Sequence, residues 1–477
     1  MTLVQKSSNL AQKSQTNLGD WSALIPVLPE GGPQTAALYA AIRRLIETGA
    51  VPPRTKLPPT RDLAARLSLP RSGVVAAFEM LIADGFAEAK VGSGTFVAQH
   101  VPLLAPSSSE ATAQAEIPKV LPGALGVAVS DPRTLKIFRT LLSWHLSRPG
   151  PEHFHYGDPQ GSLALREAVA AYLRTARGVR CSAHSIVLTS GTQQGLDLVI
   201  RSTLKPGDAA WIEDPGYPMA RAAFAGSGIR LVGVPVDGEG LDPARGEQLG
   251  PKARAAYVTP SHQFPLGVTM TMRRRLALID WARRNEAWII EDDYDSEFRY
   301  AGPPLTAMQG MDDSGRVINL GTFSKVLFPG LRVGYAVVPE PLLDNLVELR
   351  ARTDRHPPTL AEAALTDLLR EGHFATHLRR ARRRTQVARD DLVAGLRSGK
   401  GGIEVAVPDQ GLHLIARLTT GVADTDIVRV AHAAGLAARS LSAMYLSRAP
   451  QQGLVIGFSG FSGEELRLAA SRLAALI

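Results

Sequence analysis

The chain has 477 residues, too many for one ordinary hydrophobic core, so two or more domains are expected. Hydrophobic residues make up 45% and charged residues 21%, which excludes a disordered chain and fits a globular one. The formal net charge of +8 permits a polyanionic partner without requiring one. The single cysteine, Cys181, excludes an internal disulfide framework and fits a reducing cytoplasm. Met1 to Leu18 is polar and lacks the apolar core of a signal peptide, and no apolar run approaches a membrane span. A cytoplasmic location without a membrane partner is therefore expected.

Residues 1–33 form a polar tail punctuated by Pro and Gly. In 34–100, Leu38, Ile42, Leu45 and Ile46 make one apolar stripe at helical spacing, stopped by Gly49. After the turn Val51–Pro59, Thr60 is placed to cap a second helix with Leu63 and Leu67 on one face. A third helix follows Pro70, with Val74, Phe78, Leu81 and Ile82 inward. Two helices joined by a tight turn make a helix-turn-helix pattern, whose second helix enters the major groove by its N-terminal residues. Here these are Arg71, Ser72 and Gly73. Arginine reaches guanine edges or phosphates, and serine bonds phosphate. Residues 86–97 read as a hairpin round Gly92-Ser93-Gly94. Between 34 and 99 there are eight Lys/Arg against five Asp/Glu, a surplus of three, and Lys56, Arg61 and Arg71 cluster at the tip with only Asp62 among them.

Residues 101–122, rich in Pro and Ser at their start, read as a linker. From 123 to 477, helical patterns alternate with the β-rich runs 186–189, 210–213, 256–259, 288–291 and 317–320. That alternation predicts an α/β domain with a mostly parallel sheet. The arginine cluster 379–384 reads as the solvated face of a long helix.

The large domain carries four motifs at the ends of predicted strands, where open α/β sheets place their ligands. Thr189-Ser-Gly-Thr-Gln193 opens a helix, whose backbone N–H groups suit an anion. Glu213-Asp-Pro-Gly-Tyr217 ends in an aromatic ring. Glu291-Asp-Asp-Tyr-Asp295 supplies buried carboxylates, and Gly321–Tyr335 holds Lys325 with Arg332 seven residues on. A lysine, an acid, an aromatic face and phosphate donors are what pyridoxal phosphate (PLP) requires of a protein. The acid cluster contains no His or Cys, so no metal is expected there.

The string from Lys56 to Phe96 resembles the winged helix-turn-helix of the GntR family. That resemblance implies DNA contacts by Arg61, Arg71, Ser72, Gly92 and Gly94; Lys56 and Gly73 join them by position. Ser72-Gly73 departs from the small residue and Thr or Ser of most relatives. Residues 123–477 resemble fold-type I aminotransferases, including a smaller C-terminal α/β subdomain. The resemblance implies Lys325 for the Schiff base, Asp292 for the pyridine nitrogen, Tyr294 for the ring hydroxyl and Tyr217 for stacking. It assigns Ser190, Gly191, Thr192, Ser324 and Arg332 to the phosphate. Tyr156, in Tyr156–Gly161, matches the segment that reaches a neighbouring subunit's phosphate, which implies a homodimer, with a domain-swapped form as one arrangement of it. His262 is expected beside the ring.

The fusion resembles the MocR/GabR subfamily of transcription regulators. It implies a PLP-dependent activator of a catabolic or cofactor-synthesis operon that binds operator half-sites and senses an amine. Phe264 stands where typical aminotransferases have Asn, and the late strand Gly453–Phe458 lacks their carboxylate-binding arginine; Arg439 is the candidate substitute. An ω-amino acid, an aminosulfonate such as taurine, or PLP itself fits better than an α-amino acid. An active aminotransferase with an accessory DNA-binding domain is the alternative.

Overall fold

The computed structural model describes residues 34–101, 120–150 and 154–477. The expected tail 1–33 and nearly all of the expected linker 101–122 lie outside the described residues. The chain divides into two compact units, Met1–Pro118 and Lys119–Ile477.

In the first unit, α1 (Gln34–Glu47), α2 (Thr60–Leu67) and α3 (Arg71–Ala83) precede the hairpin β1 (Ala87–Lys90) and β2 (Gly94–Val97). Leu38, Ile42 and Ile46 of α1 pack on Leu63 of α2 and on Val74, Phe78 and Leu81 of α3. Leu45 and Leu67 pack at the margin, partly buried. Ile82, expected inward, is 37% exposed. The inward stripe of α3 runs through 74, 77, 78 and 81, and position 82 turns past its edge at 100° per residue. Thr60 is not a cap: Pro59 holds that place with φ −55° and ψ 138°, and makes no side-chain hydrogen bond. Proline fixes the extended stretch up to residue 59, and Thr60 is already the first helical residue, so the helix starts one residue earlier than a threonine cap requires. The hairpin pairs Ala87 with Val97 and Lys90 with Gly94. Its turn runs through Gly92 (φ +74°) and Gly94 (φ +107°), a backbone region that side chains disfavour.

The second unit runs α4 (Pro132–Leu146), α5 (Leu163–Arg177), β3 (Ile186–Thr189), α6 (Thr192–Thr203), β4 (Ala209–Asp214), α7 (Pro218–Gly226), β5 (Arg230–Asp237), β6 (Gly240–Leu241), α8 (Pro243–Leu249), β7 (Ala253–Val258), α9 (Met272–Arg284), β8 (Trp288–Asp293), β9 (Val317–Thr322) and β10 (Gly334–Val337). After these come α10 (Glu340–Thr353), α11 (Glu362–Arg370), α12 (His373–Leu396), β11 (Ile403–Val405), β12 (His413–Leu418), α13 (Asp424–Ala433), β13 (Arg439–Ser440), β14 (Gly453–Gly457) and α14 (Gly463–Leu476).

Eight strands form one sheet in the order β3-β10-β9-β8-β7-β4-β5-β6. The central pairs β9/β8, β8/β7, β7/β4 and β4/β5 are parallel. Strand β10 enters antiparallel between β3 and β9. Strands β4 and β9 are buried throughout, and β8 at every residue but Trp288, as strands covered by helices on both faces must be. On one face Leu198, Phe224 and Leu346 pack against Val187, Ile212 and Ile290. On the other, Trp281 of α9 stacks on Trp211 of β4 at 3.8 Å. A second, antiparallel sheet in the order β11-β12-β14-β13 carries α12, α13 and α14 and makes the smaller α/β subdomain.

The arginines of 379–384 are not simply a solvated face. Arg380 pairs with Asp131 at 2.6 Å, Arg382 donates to the Glu297 carbonyl, and Arg384 donates to the Ser130 carbonyl. Three of the five arginines therefore tie α12 to the start of α4 and to the segment after β8.

Candidate functional site

The candidate site of the large unit lies where β3, β8 and β9 end. After β3, Gly191 adopts φ +100° and α6 begins at Thr192. A Cβ on Gly191 would stand 3.2 Å from the Arg332 guanidinium, so the glycine lets that cation approach the helix N-terminus. Arg332 follows a short 3-10 turn, is exposed, and has no ion-pair partner among the described residues. The Thr192 Oγ1 and Ser324 Oγ hydroxyls are buried without partners. The Ser190 N–H donates to Gln194 Oε1 at 2.6 Å. A helix N-terminus and a guanidinium thus meet at Gly191, next to the unsatisfied Thr192 hydroxyl, which is the chemistry of a phosphate cradle.

Strand β8 sorts its acids by face. Glu291 accepts from the backbone N–H groups of Met308 and Gln309. Asp293 pairs with the buried Arg177 at 2.8 Å. Asp292, on the opposite face, accepts from the Tyr257 hydroxyl at 2.6 Å through Oδ2, while its buried Oδ1 has no partner. Burial pushes the Asp292 carboxyl up to about 7, against the Tyr257 hydrogen bond. A carboxylate oxygen left bare in this way fits a cationic ring nitrogen.

Lys325, next to Ser324, is half-buried. Burial lowers its amine from the usual lysine range, opposed by Asp295 and Asp292. A Cβ on Gly126 would come 3.0 Å from Lys325 Nζ, so Gly126 lies close over the lysine amine. Tyr217 precedes α7 and meets Phe264 edge-on at 5.4 Å. Burial raises its hydroxyl, as does Asp292, while Arg439 works the other way. Arg439 is exposed on β13, and its strand lies beside β14, the strand without an arginine. Tyr294 donates to the His262 carbonyl at 3.0 Å, and His262 bonds Asp295. The Gln263 side chain is directed to Glu213 and the Pro215 carbonyl, so it braces the loop.

Tyr156 lies in the stretch before α5. It is 69% exposed, with the Arg355 guanidinium 4.2 Å over its ring. In the first unit, Arg61, Arg71 and Ser72 are exposed and the first turn of α3 holds no acid. Gly73 lies against Thr35 of α1. Lys56 lies along the hairpin, 5.8 Å from the Phe96 ring and against Gly94.

Comparison with known proteins follows this division. Residues 34–97 match the family model of bacterial regulatory proteins of the gntR family, and residues 136–473 match that of aminotransferases of class I and II. The probable rhizopine catabolism regulatory protein MocR of Rhizobium meliloti is 36% identical, over 91% of this chain and 92% of that protein. The chain belongs to the MocR/GabR subfamily of GntR-type transcription regulators. Another relative is the pyridoxine biosynthesis regulator PdxR of Corynebacterium glutamicum, 32% identical over 90% of this chain and 93% of its own length. Among solved structures, Pyrococcus horikoshii kynurenine aminotransferase superposes with a TM-score of 0.69 and 28% identity, covering 75% of this chain and 91% of that one. As in other MocR/GabR regulators, a helix-turn-helix unit is joined to an aminotransferase fold.

Sequence reasoning missed three parts of this MocR/GabR site: Gly126 over the lysine, Tyr257 on Asp292 and Arg177 on Asp293. Only Tyr257 left a signal, since it lies in a run already read as a strand ending at the site. No helix among the described residues is long and apolar enough to cross a membrane.

Proposed function

We propose that this protein binds PLP at Lys325 and reports the arrival of an amine to DNA held by the first unit. The observation that carries the proposal is the set of unpartnered buried atoms near Lys325: Asp292 Oδ1 for a ring nitrogen, and Thr192 Oγ1 and Ser324 Oγ, with Arg332, for a phosphate. When bound, PLP supplies an electrophilic carbon that links reversibly to primary amines. Tyr217 offers the ring a face, Tyr294 a hydroxyl and Gly126 a cover over the lysine. An amine that competed with Lys325 for that carbon would free the lysine side chain, giving the two liganded states different contacts, as a switch requires.

The effector pocket favours an amine with a distant anionic group, because the available cation, Arg439, stands on β13 and Phe264 makes an apolar wall beside Tyr217. An ω-amino acid and an aminosulfonate share that chemistry, and PLP itself is the third candidate. Arg61, Arg71 and Ser72 meet the DNA, the hairpin glycines Gly92 and Gly94 let the wing approach the backbone, and Lys56 steadies the wing. A homodimer, with Tyr156 reaching the partner's phosphate, presents two such units to repeated half-sites, and the protein acts as an activator.

The test is spectral and functional together. Purified protein with PLP should show a visible band that is absent in Lys325→Ala, and a candidate amine should shift that band. Steady turnover with a keto acid and no sequence-specific DNA binding would overturn the regulator reading in favour of an enzyme.

A further inference from the structure

We infer that Asp295 and His262 are positioning residues that keep the Tyr294 hydroxyl available as a proton donor. The inference rests on the cofactor reading above and deepens it. The His262 imidazole is built into the fold: a Cβ on Gly411 (φ +85°) would overlap the ring, and one on Gly267 (φ +74°) would stand 3.3 Å from Nε2. Its Nδ1 lies 2.9 Å from Asp295 Oδ2 and 3.1 Å from Tyr294 Oη. Both His262 and Asp295 are almost fully buried.

A carboxylate oxygen only accepts, so Nδ1 carries the hydrogen and shares it between Asp295 and the tyrosine oxygen. Nε2 then holds a lone pair, buried and without a partner. In this tautomer the imidazole cannot accept the tyrosine proton at Nδ1. Tyr294 is left to donate, here to the His262 carbonyl at 3.0 Å and, with PLP bound, to the ring oxygen. Were Asp295 unable to accept, the tautomer would invert and Nδ1 would take the Tyr294 proton.

The same three groups could be read as a metal site, since His262, Asp295 and His413 bring ligand atoms within 4.8 Å of one another. Their hydrogen bonds argue otherwise, because Asp295 already bonds Nδ1 directly and the His413 Nε2 bonds the Pro265 carbonyl at 3.0 Å. Asp292, Asp293 and Glu213 also lie close enough to act on the Tyr294 hydroxyl, Asp293 from the opposite face of β8 where it pairs with Arg177. His413 stands behind His262, with ring centres 4.8 Å apart, and Lys325 lies close enough to influence it.

The sign of a pH shift separates this account from a bare-charge effect. A donor on the ring oxygen stabilises its unprotonated form, so losing the donor raises the pH midpoint at which the lysine-bound PLP band changes. Losing a nearby negative charge lowers that midpoint instead. The experiment titrates the visible band of PLP-loaded full-length protein in wild type, Tyr294→Phe, Asp295→Leu, which has no acceptor for Nδ1–H, and the double variant. His262→Asn, whose amide keeps a donor near the Nδ1 position, serves as the conservative rescue.

The expected result is an upward midpoint in both single variants, a double variant no further displaced than Tyr294→Phe, and a midpoint near wild type in His262→Asn. A downward midpoint in Asp295→Leu, or additive shifts in the double variant, would overturn the positioning role while leaving the cofactor reading intact. A wild-type protein with no visible band would overturn both.

Discussion

Asp292 offers a prediction in which stability and binding move in opposite directions. Its carboxyl, ordinarily near 3.8, is pushed up to about 7 by burial. A folded-state value above the unfolded one means that the fold prefers the protonated acid. Stability is therefore lost as pH rises from the unfolded value through the folded one, and the loss is complete above about 7. At 1.36 kcal/mol per pH unit, the ionised carboxyl costs the cofactor-free fold about 4 kcal/mol as an upper bound.

Asp292→Asn removes that penalty and keeps an oxygen for the Tyr257 hydroxyl. The cofactor-free variant should therefore melt at or above wild type at about pH 8, with a flatter pH dependence. The same change removes the charge that answers the ring nitrogen. A hydrogen bond to a charged group contributes about 1.5–3 kcal/mol, so PLP should bind ~10–150-fold more weakly. Thermal melts of the cofactor-free protein between about pH 5.5 and 8.5, followed by PLP titration in visible absorbance, measure both effects. An affinity within about twofold of wild type would refute the assignment of Asp292 to the ring nitrogen. A clear loss of stability at about pH 8 would refute the linkage argument.

Three further outcomes follow from the same structure. Arg332→Ala should weaken PLP by ~10–150-fold while leaving pyridoxal, which has no phosphate, nearly unaffected; equal losses would place the guanidinium elsewhere. Burial, aided by His262, pushes His413 down to about 4 from 6.5. Its contribution is present above about 6.5 and lost as pH falls through 4, up to about 3 kcal/mol, and His413→Gln should flatten the acid limb of the melting curve. Arg71→Ala should cost about 1–3 kcal/mol of operator affinity in a mobility-shift titration, with visible-band spectra unchanged. An unchanged affinity would move the DNA-facing surface away from the start of α3.

How far the sequence could be read depended on whether a residue's surroundings lay within its own motif. Lys325, Asp292 and Gly191 announced themselves because each sits at a strand end beside residues of fitting chemistry. The acid at 292 could be chosen over 291 and 293 because a strand alternates its faces, and the structure places Arg177 and the 308–309 backbone on the other side. Gly126 could not be read, because its approach to Lys325 is made across almost 200 residues of sequence and leaves no local pattern. Strand β10 was hidden because it begins in the last two residues of the lysine motif: four residues long, it pairs antiparallel in a sheet otherwise parallel at its centre. Strands β5 and β12 also went unread, the first because its mixed burial resembles a surface run. The misreadings at Thr60 and Ile82 arose at helix ends, where one residue of displacement changes a cap or a face. The arginines of α12 misled because their partners, Asp131, Ser130 and Glu297, lie far away in the chain.

The central claim is that Lys325 links amine arrival to DNA binding. It is tested most directly by titrating upstream DNA with PLP-loaded wild type and with Lys325→Ala, each with and without ω-amino acids and taurine. The account predicts that one amine class changes the wild-type mobility shift and that Lys325→Ala binds DNA but ignores the amine. A variant that responds to the amine as wild type does would contradict it.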